Sequence, residues 1–256
     1  MKFEEVLPHV ESRLELLADR LDPPVDQLNA GQQIVLSLGL HGRELYAGVR
    51  QACTAGSVAT AMVVLRPAVE DAILVRWLES DLPMHSEMWL AEDNRNLLVG
   101  ADAFEELRRR RGRPLSVRSP DETVAMRGHI KSVRKKAVMK GEPINPDKGS
   151  VLPSVEQMVD LKDNALWEAY QVAYRSLSPY THSGGRAFVG YRYERRVDGT
   201  HLVAGHDWTT SAIRGLAATT FLLTIECISR VCELGIEDEA ASMRDLVATW
   251  PSDAIA

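Results

Sequence analysis

The stretch VATAMVVLRPAVEDAILVRWLESDL, Val58 to Leu82, decides the fold class. Its apolar residues recur three and four apart and cover several faces, the pattern of a helix surrounded by protein and not of a half-exposed strand. A helix of that kind must be enclosed by others, so the chain is expected to be all-α, a multi-helix bundle with this segment at its centre. Pro67 lies in the middle of it. The ring removes one N–H and disfavours helical backbone at Arg66, so a kink or a break is expected there. Arg66 and Glu70 stand four apart and face one way. In so apolar a helix they need partners, because isolated buried charges are very costly. They can form a structural bridge, or Glu70 can orient groups of a functional site.

Outward from this segment the same spacing continues. A first helix is expected from Phe3 to Leu21, with Val6, Val10, Leu14, Leu17 and Leu21 on one stripe and Pro23-Pro24 ending it. A second runs from about Gln27 to Cys53, and a fourth from about Met84 to Arg111. A fifth starts at Ser119-Pro120-Asp121-Glu122, where a cap, a first-turn proline and two acids coincide, and it runs to about Lys140. The segment GEPINPDKG, Gly141 to Gly149, reads as a loop. Ser154 and Gln157 form a capping-box pair for a helix reaching Leu177. Beyond it the period changes: residues 187–206, with Asp198-Gly199 between alternating segments, read as one small β-hairpin. An apolar helix from about Ser211 to Leu234 and a short one from about Glu237 to Trp250 close the core. No repeat and no compositional linker divides the chain, so a single domain, 1–256, is expected.

Composition fits that picture. Of 256 residues 45% are hydrophobic and 26% charged, as in ordinary globular proteins. Three of the first five residues are charged and no uninterrupted apolar run approaches a membrane span, so a cytoplasmic protein without a membrane partner is expected. Cys53, Cys227 and Cys232 form no CxxC pair and read as thiols in a reducing compartment. The net charge of -6 hides a split. Between Leu107 and Lys140 twelve Lys/Arg face only Asp121 and Glu122, a local balance of +10, which leaves -16 on the remainder. Arg109, Arg110, Arg113, Lys131, Arg134 and Lys135 belong to this basic segment. Such asymmetry suits contact with a polyanion, or pairing with acidic protein surface.

The chemistry concentrates in YRSLSPYTHSGGR, Tyr174 to Arg186. Arg175 offers a planar fork of donors matched to a phosphate, and His182 titrates near neutral pH. Ser183, Gly184, Gly185 and Arg186 add backbone N–H groups and a cation that suit an anion. An Arg and a His in one cleft are the minimum for metal-free cleavage of RNA, in which a base activates the 2'-hydroxyl and Arg stabilises the developing charge. The other reading is an ordinary helix end, with Arg175 on a carboxylate and His182 bonded to backbone. Metal chemistry is not expected: His201, His206 and Asp207 have no standard ligand spacing, and no Glu-x-x-His pair occurs. The absence of GxxxxGK[ST], GxGxxG and G-x-S-x-G argues against P-loop, dinucleotide and α/β-hydrolase sites, and no cofactor is implied.

The segments Leu65-Arg66-Pro67-Ala68-Val69-Glu70 and Tyr174-Arg175-Ser176-Leu177-Ser178-Pro179-Tyr180-Thr181-His182 resemble two signature patches of bacterial helical proteins related to the HEPN superfamily. The resemblance implies a compact helical bundle, often a homodimer, that binds RNA or a nucleotide. In many members it implies a metal-independent ribonuclease of toxin-antitoxin or phage-defence systems. The superfamily's active Arg and His then fall on Arg175 and His182, with Arg66, Glu70, Tyr174 and Ser178 behind them. Pro179 interrupts the spacing and Ser176 stands where a larger polar residue is common. The alternative is a non-catalytic helical interaction or regulatory module, in which the same residues are structural and the partner is a protein.

Overall fold

A computed structural model describes residues 3–112, 119–144, 149–159, 169–174, 191–196, 199–204 and 209–248. Its described elements are helical apart from one pair of short strands, so the architecture is an all-α bundle. The chain divides into two compact units: Met1–Glu79 with Val159–Ala256, and Ser80–Met158.

The first unit is built around two apolar helices. In α1 (Phe3–Ala18), Val10, Leu14 and Leu17 form the predicted stripe and are almost wholly buried, with Leu21 just beyond the helix end. The capping box at the start of α2 (Ala30–Thr54) is reciprocal: Gln32 N–H donates to the Asn29 side chain, and Asn29 N–H donates to that of Gln32. In α3 (Val58–Ser80), Met62, Leu65, Val69, Ile73, Val75 and Leu78 are inaccessible to solvent, and burial reaches several faces, as the spacing requires. The helix runs unbroken through Pro67. Proline costs one backbone hydrogen bond, whereas full burial of each large neighbour contributes about 1.5–3 kcal/mol, so packing outweighs the local preference.

The centre of this unit is α7 (Thr210–Cys232), capped by Thr209, whose hydroxyl accepts from Ala212 N–H at 3.1 Å. It packs against α1, α2 and α8 (Glu237–Ala248). Two glycines of α2 set its approach to α7. A Cβ on Gly39 would lie 1.9 Å from Ile228 Cδ1, whereas one on Gly42 would meet Phe221 and Thr224 at an ordinary 3.8 Å. Buried Glu11 of α1 takes both arms of Arg214 on α7, at 2.8 and 2.5 Å. Among the described residues α7 alone is long and apolar enough to cross a membrane, and most of it is buried inside the protein. Strands β1 (Tyr191–Arg196) and β2 (Gly199–Ala204) pair antiparallel, with Arg196 opposite Gly199 and Tyr191 opposite Ala204. The intervening turn lies outside the described residues.

The second unit is a hairpin of α4 (Leu82–Arg110) and α5 (Pro120–Lys140) with the segment up to Met158. Its core is small: Met84, Met88, Ala91 and Leu98 face Val133 and Ala137, with Val151 and Met158 alongside. Polar pairs fix the antiparallel register. Lys140 meets Asp81 at 2.9 Å, Lys136 meets Glu87 at 2.7 Å, and Asn94 meets His129 at 3.1 Å. Ser119 caps α5 and Gly141 ends it in the left-handed region, at φ +78°, where a side chain would strain the backbone. Buried Glu92 accepts from Val151 N–H at 2.7 Å and from the Ser150 hydroxyl at 3.1 Å, tying the returning chain to α4. Ser154 and Gln157 form their reciprocal cap at the start of α6 (Val155–Val159). The helix expected to continue to Leu177 is described only over Val155–Val159 and over Ala169–Tyr174, which is π-helical.

Candidate functional site

In the first unit, the polar residues of α3 meet the π-helical turn. Arg66 leans along its helix toward Glu70, with Nη2 3.8 Å from Oε2. The same Nη2 donates to the Tyr174 hydroxyl at 2.9 Å, and the guanidinium lies over the Tyr174 ring, 4.8 Å from its centroid. Tyr174 in turn stacks on Tyr170 at 5.5 Å. Arg66 is largely buried, and its Nε has no partner among the described residues. A π-turn repositions side chains relative to an α-helix, and such turns recur at functional sites. Here the turn presents Tyr174 to Arg66 directly before the Arg175 peptide. Sequence reasoning thus placed Arg66, Glu70 and Tyr174 in one region, and the structure brings these three together.

Beside Glu70, the buried Asp71 carboxylate lies 2.7 Å from Nδ1 of His41 on α2. The two ends of the pair differ in setting: the Asp71 side chain is 12% exposed and that of His41 52%. Burial pushes the Asp71 carboxyl up to about 6, against the opposing pull of His41; the neighbouring Glu70 charge adds to the rise. With the carboxylate ionised, Nδ1 must carry the proton, which leaves Nε2 as an acceptor. His41 Nε2 makes no hydrogen bond to another described residue. No spacing rule links residues thirty apart, so this pair was not visible as a motif; the one available signal was an aspartate in an apolar, largely buried helix.

Arg175, Ser178, His182, Ser183, Gly184, Gly185 and Arg186 lie outside the described residues, as does Arg113. In the second unit, Arg109 and Arg110 both pair with Glu106 on their own helix and are strongly exposed. Lys136 and Lys140 are committed to α4. By contrast Arg127, Lys131, Arg134 and Lys135 form no ion pair with another described residue. Their spacing of four, three and one puts them on one side of α5. Val124 precedes them and Val138 and Met139 follow them on the same side, and the three are 69%, 61% and 78% exposed.

No group of three or more His, Cys, Asp or Glu side chains among the described residues is arranged to hold a metal ion. The three cysteines are free and buried, and burial raises the Cys232 thiol to about 11, which keeps it from acting as a nucleophile near neutral pH.

These features define an all-helical protein with an Arg–Tyr pair and a His–Asp pair on one helical unit and a basic face on the other. Residues 32–199 match DUF5677, a family of unknown function, and since that span is well over half of the chain, the protein belongs to this family. The span contains His41, Arg66, Glu70, Asp71, Tyr174 and all of α5, whereas α1, α7 and α8 lie outside it. No curated protein and no solved structure matches the chain.

Proposed function

We propose that this protein is a HEPN-like helical protein that binds RNA or a nucleotide and cleaves RNA without a metal ion. The observation that carries the reading is the row of Arg127, Lys131, Arg134 and Lys135 along one side of α5, without acidic partners among the described residues. Eight residues of helix extend about 12 Å, enough for several cations to meet successive backbone phosphates. In this reading Arg175 stabilises the charge developing on the scissile phosphate and His182 moves a proton. Arg66 and Glu70 from α3 and Tyr174 from the π-helical turn support that segment, consistent with the bond from Arg66 to Tyr174. A cytoplasmic homodimer serving a toxin-antitoxin or phage-defence system goes with the same proposal. The test is incubation of labelled RNA with wild type and His182→Ala in EDTA. Cleavage by wild type alone supports the reading, and equal inactivity of both removes the nuclease.

A second reading rests on the apolar residues of the same helix face. Val124, Val138 and Met139 are exposed beside the cations, and phosphates give such side chains nothing to contact. A non-catalytic module with an acidic, amphipathic protein partner would use both kinds of residue. Substituting Val138 and Met139 by Ser leaves RNA affinity unchanged if the face serves RNA alone.

A further inference from the structure

The outward side of α4 carries apolar side chains at the spacing of a seam between helices. Leu90, Leu97 and Phe104 stand seven apart, with Leu107 one turn beyond Phe104, and the four are 37%, 46%, 52% and 43% exposed. Seven-residue spacing keeps such a row on one face and is the repeat with which a second helix packs. The row points away from the buried residues of α4, Met84, Met88, Ala91 and Leu98, so it takes no part in the core of its own hairpin. Two further features of this side fit a second helix. Gly100 lies between Leu97 and Phe104, and a Cβ there would meet nothing within 4 Å. Glycine inside a helix is destabilising relative to alanine, and close approach of another backbone is a reason to keep it. At the two ends of the row stand opposite charges. Asp93 is exposed and forms no ion pair with another described residue. Arg108 lies over the Phe104 ring, 5.6 Å from its centroid, and its shielded Nε has no hydrogen-bond partner among the described residues. The neighbouring Arg109 and Arg110 instead take Glu106.

We propose that α4 is a dimerisation helix whose occupant is a second copy of this chain, packed antiparallel about a twofold axis midway between Leu97 and Gly100. With that centre, Leu97 of each copy enters the space beside the partner's Gly100, and Leu90 meets the partner's Leu107. Asp93 then faces the partner's Phe104 and the guanidinium that lies over its ring, so the symmetry forms two Asp93 to Arg108 pairs at once. Charge selects both the partner and the direction. The row is complementary to itself only when reversed, whereas a parallel pair sets Asp93 beside Asp93 and Arg108 beside Arg108. RNA gains little on this side, where an acid and four apolar side chains offer a phosphate no donor. The surface deepens the homodimer part of the reading above and is independent of RNA cleavage, so that each can fail without the other.

The experiment is sedimentation equilibrium of the full chain without RNA, on wild type, Asp93→Arg, Arg108→Asp, an equal mixture of these two variants, and Phe104→Ser. Wild type is expected at twice the 28.4 kDa of one chain. Each charge reversal sets two like-charge pairs across the axis and raises the dimer Kd by about tenfold or more. The mixture returns to near the wild-type Kd, because each reversed side chain then meets its opposite. A wild type that is monomeric at every concentration overturns the proposal. So does a dimer that neither reversal weakens, since its contact then lies on another face, and so does a mixture no tighter than the single variants, since the antiparallel register is then wrong. A wild type that associates only when RNA or another protein is added overturns it as well. Phe104→Ser removes an exposed side chain without adding charge, and its expected rise in Kd keeps the test decisive even where a charge reversal does not fold.

Discussion

At the scale of single residues, the protein is governed by charges held where water is scarce. Asp71 is the clearest case. Its carboxyl is raised from an ordinary value near 3.8 to about 6, so the folded state keeps a proton that the unfolded chain has already released. Stability from this group is therefore lost as pH rises from about 4 to about 6 and is constant above. The shift limits the effect to about 3 kcal/mol. Chemical denaturation of wild type and Asp71→Asn across that range should show the wild type losing stability relative to the variant as pH increases; parallel curves would remove the inferred shift. Arg66 and Tyr174 offer a second check. Tyr174→Phe keeps the ring under the guanidinium and loses the 2.9 Å hydrogen bond, for a cost of about 1 kcal/mol in urea denaturation. Arg66→Ala removes the bond, the ring contact and the Glu70 partner together and should cost distinctly more. None of this detail was legible in the sequence except the four-residue step from Arg66 to Glu70, because side-chain partners thirty or a hundred residues apart leave no local pattern.

At the scale of elements, packing overrides local preference in some places and obeys it in others. The stripe of α1, the caps at Ser119 and Ser154, and the end of α5 at Gly141 follow from residue type and spacing. They were legible because each depends on neighbours within a turn. The unbroken course of α3 through Pro67 and the π-helical turn at Ala169–Tyr174 were not, since both depend on what surrounds the backbone. The two glycines of α2 separate these influences. Gly42→Ala should stabilise the protein by up to about 1 kcal/mol, the difference in helix propensity, because its methyl meets α7 at ordinary contact distance. Gly39→Ala should destabilise it by about 1–3 kcal/mol, because Ile228 is fully buried and has nowhere to turn. Thermal melts of the two variants moving in the same direction would contradict this account of the α2 and α7 contact. On α1, Glu11→Ala leaves Arg214, itself 30% exposed, without its bidentate partner and should cost about 1.5–3 kcal/mol.

At the scale of the whole molecule, the split of charge is the feature that sequence reading carried furthest. Among the described residues the +10 segment falls on the end of α4 and the whole of α5, and the structure sorts eight of its twelve cations into two kinds. Lys136, Lys140, Arg109 and Arg110 have acidic partners, whereas Arg127, Lys131, Arg134 and Lys135 have none among the described residues. Composition alone could not make that distinction, because it depends on which face of α5 meets α4. The central claim, that this face meets RNA, is tested most directly by fluorescence anisotropy of a labelled single-stranded RNA titrated with the full chain at several salt concentrations. Wild type and Lys131→Glu/Arg134→Glu/Lys135→Glu are compared. The account predicts wild-type affinity that falls steeply as salt rises, with a slope reduced by roughly 0.7 per cation lost and weaker binding in the variant. Wild-type affinity that does not change with salt, or a variant that binds as tightly as wild type, would contradict it.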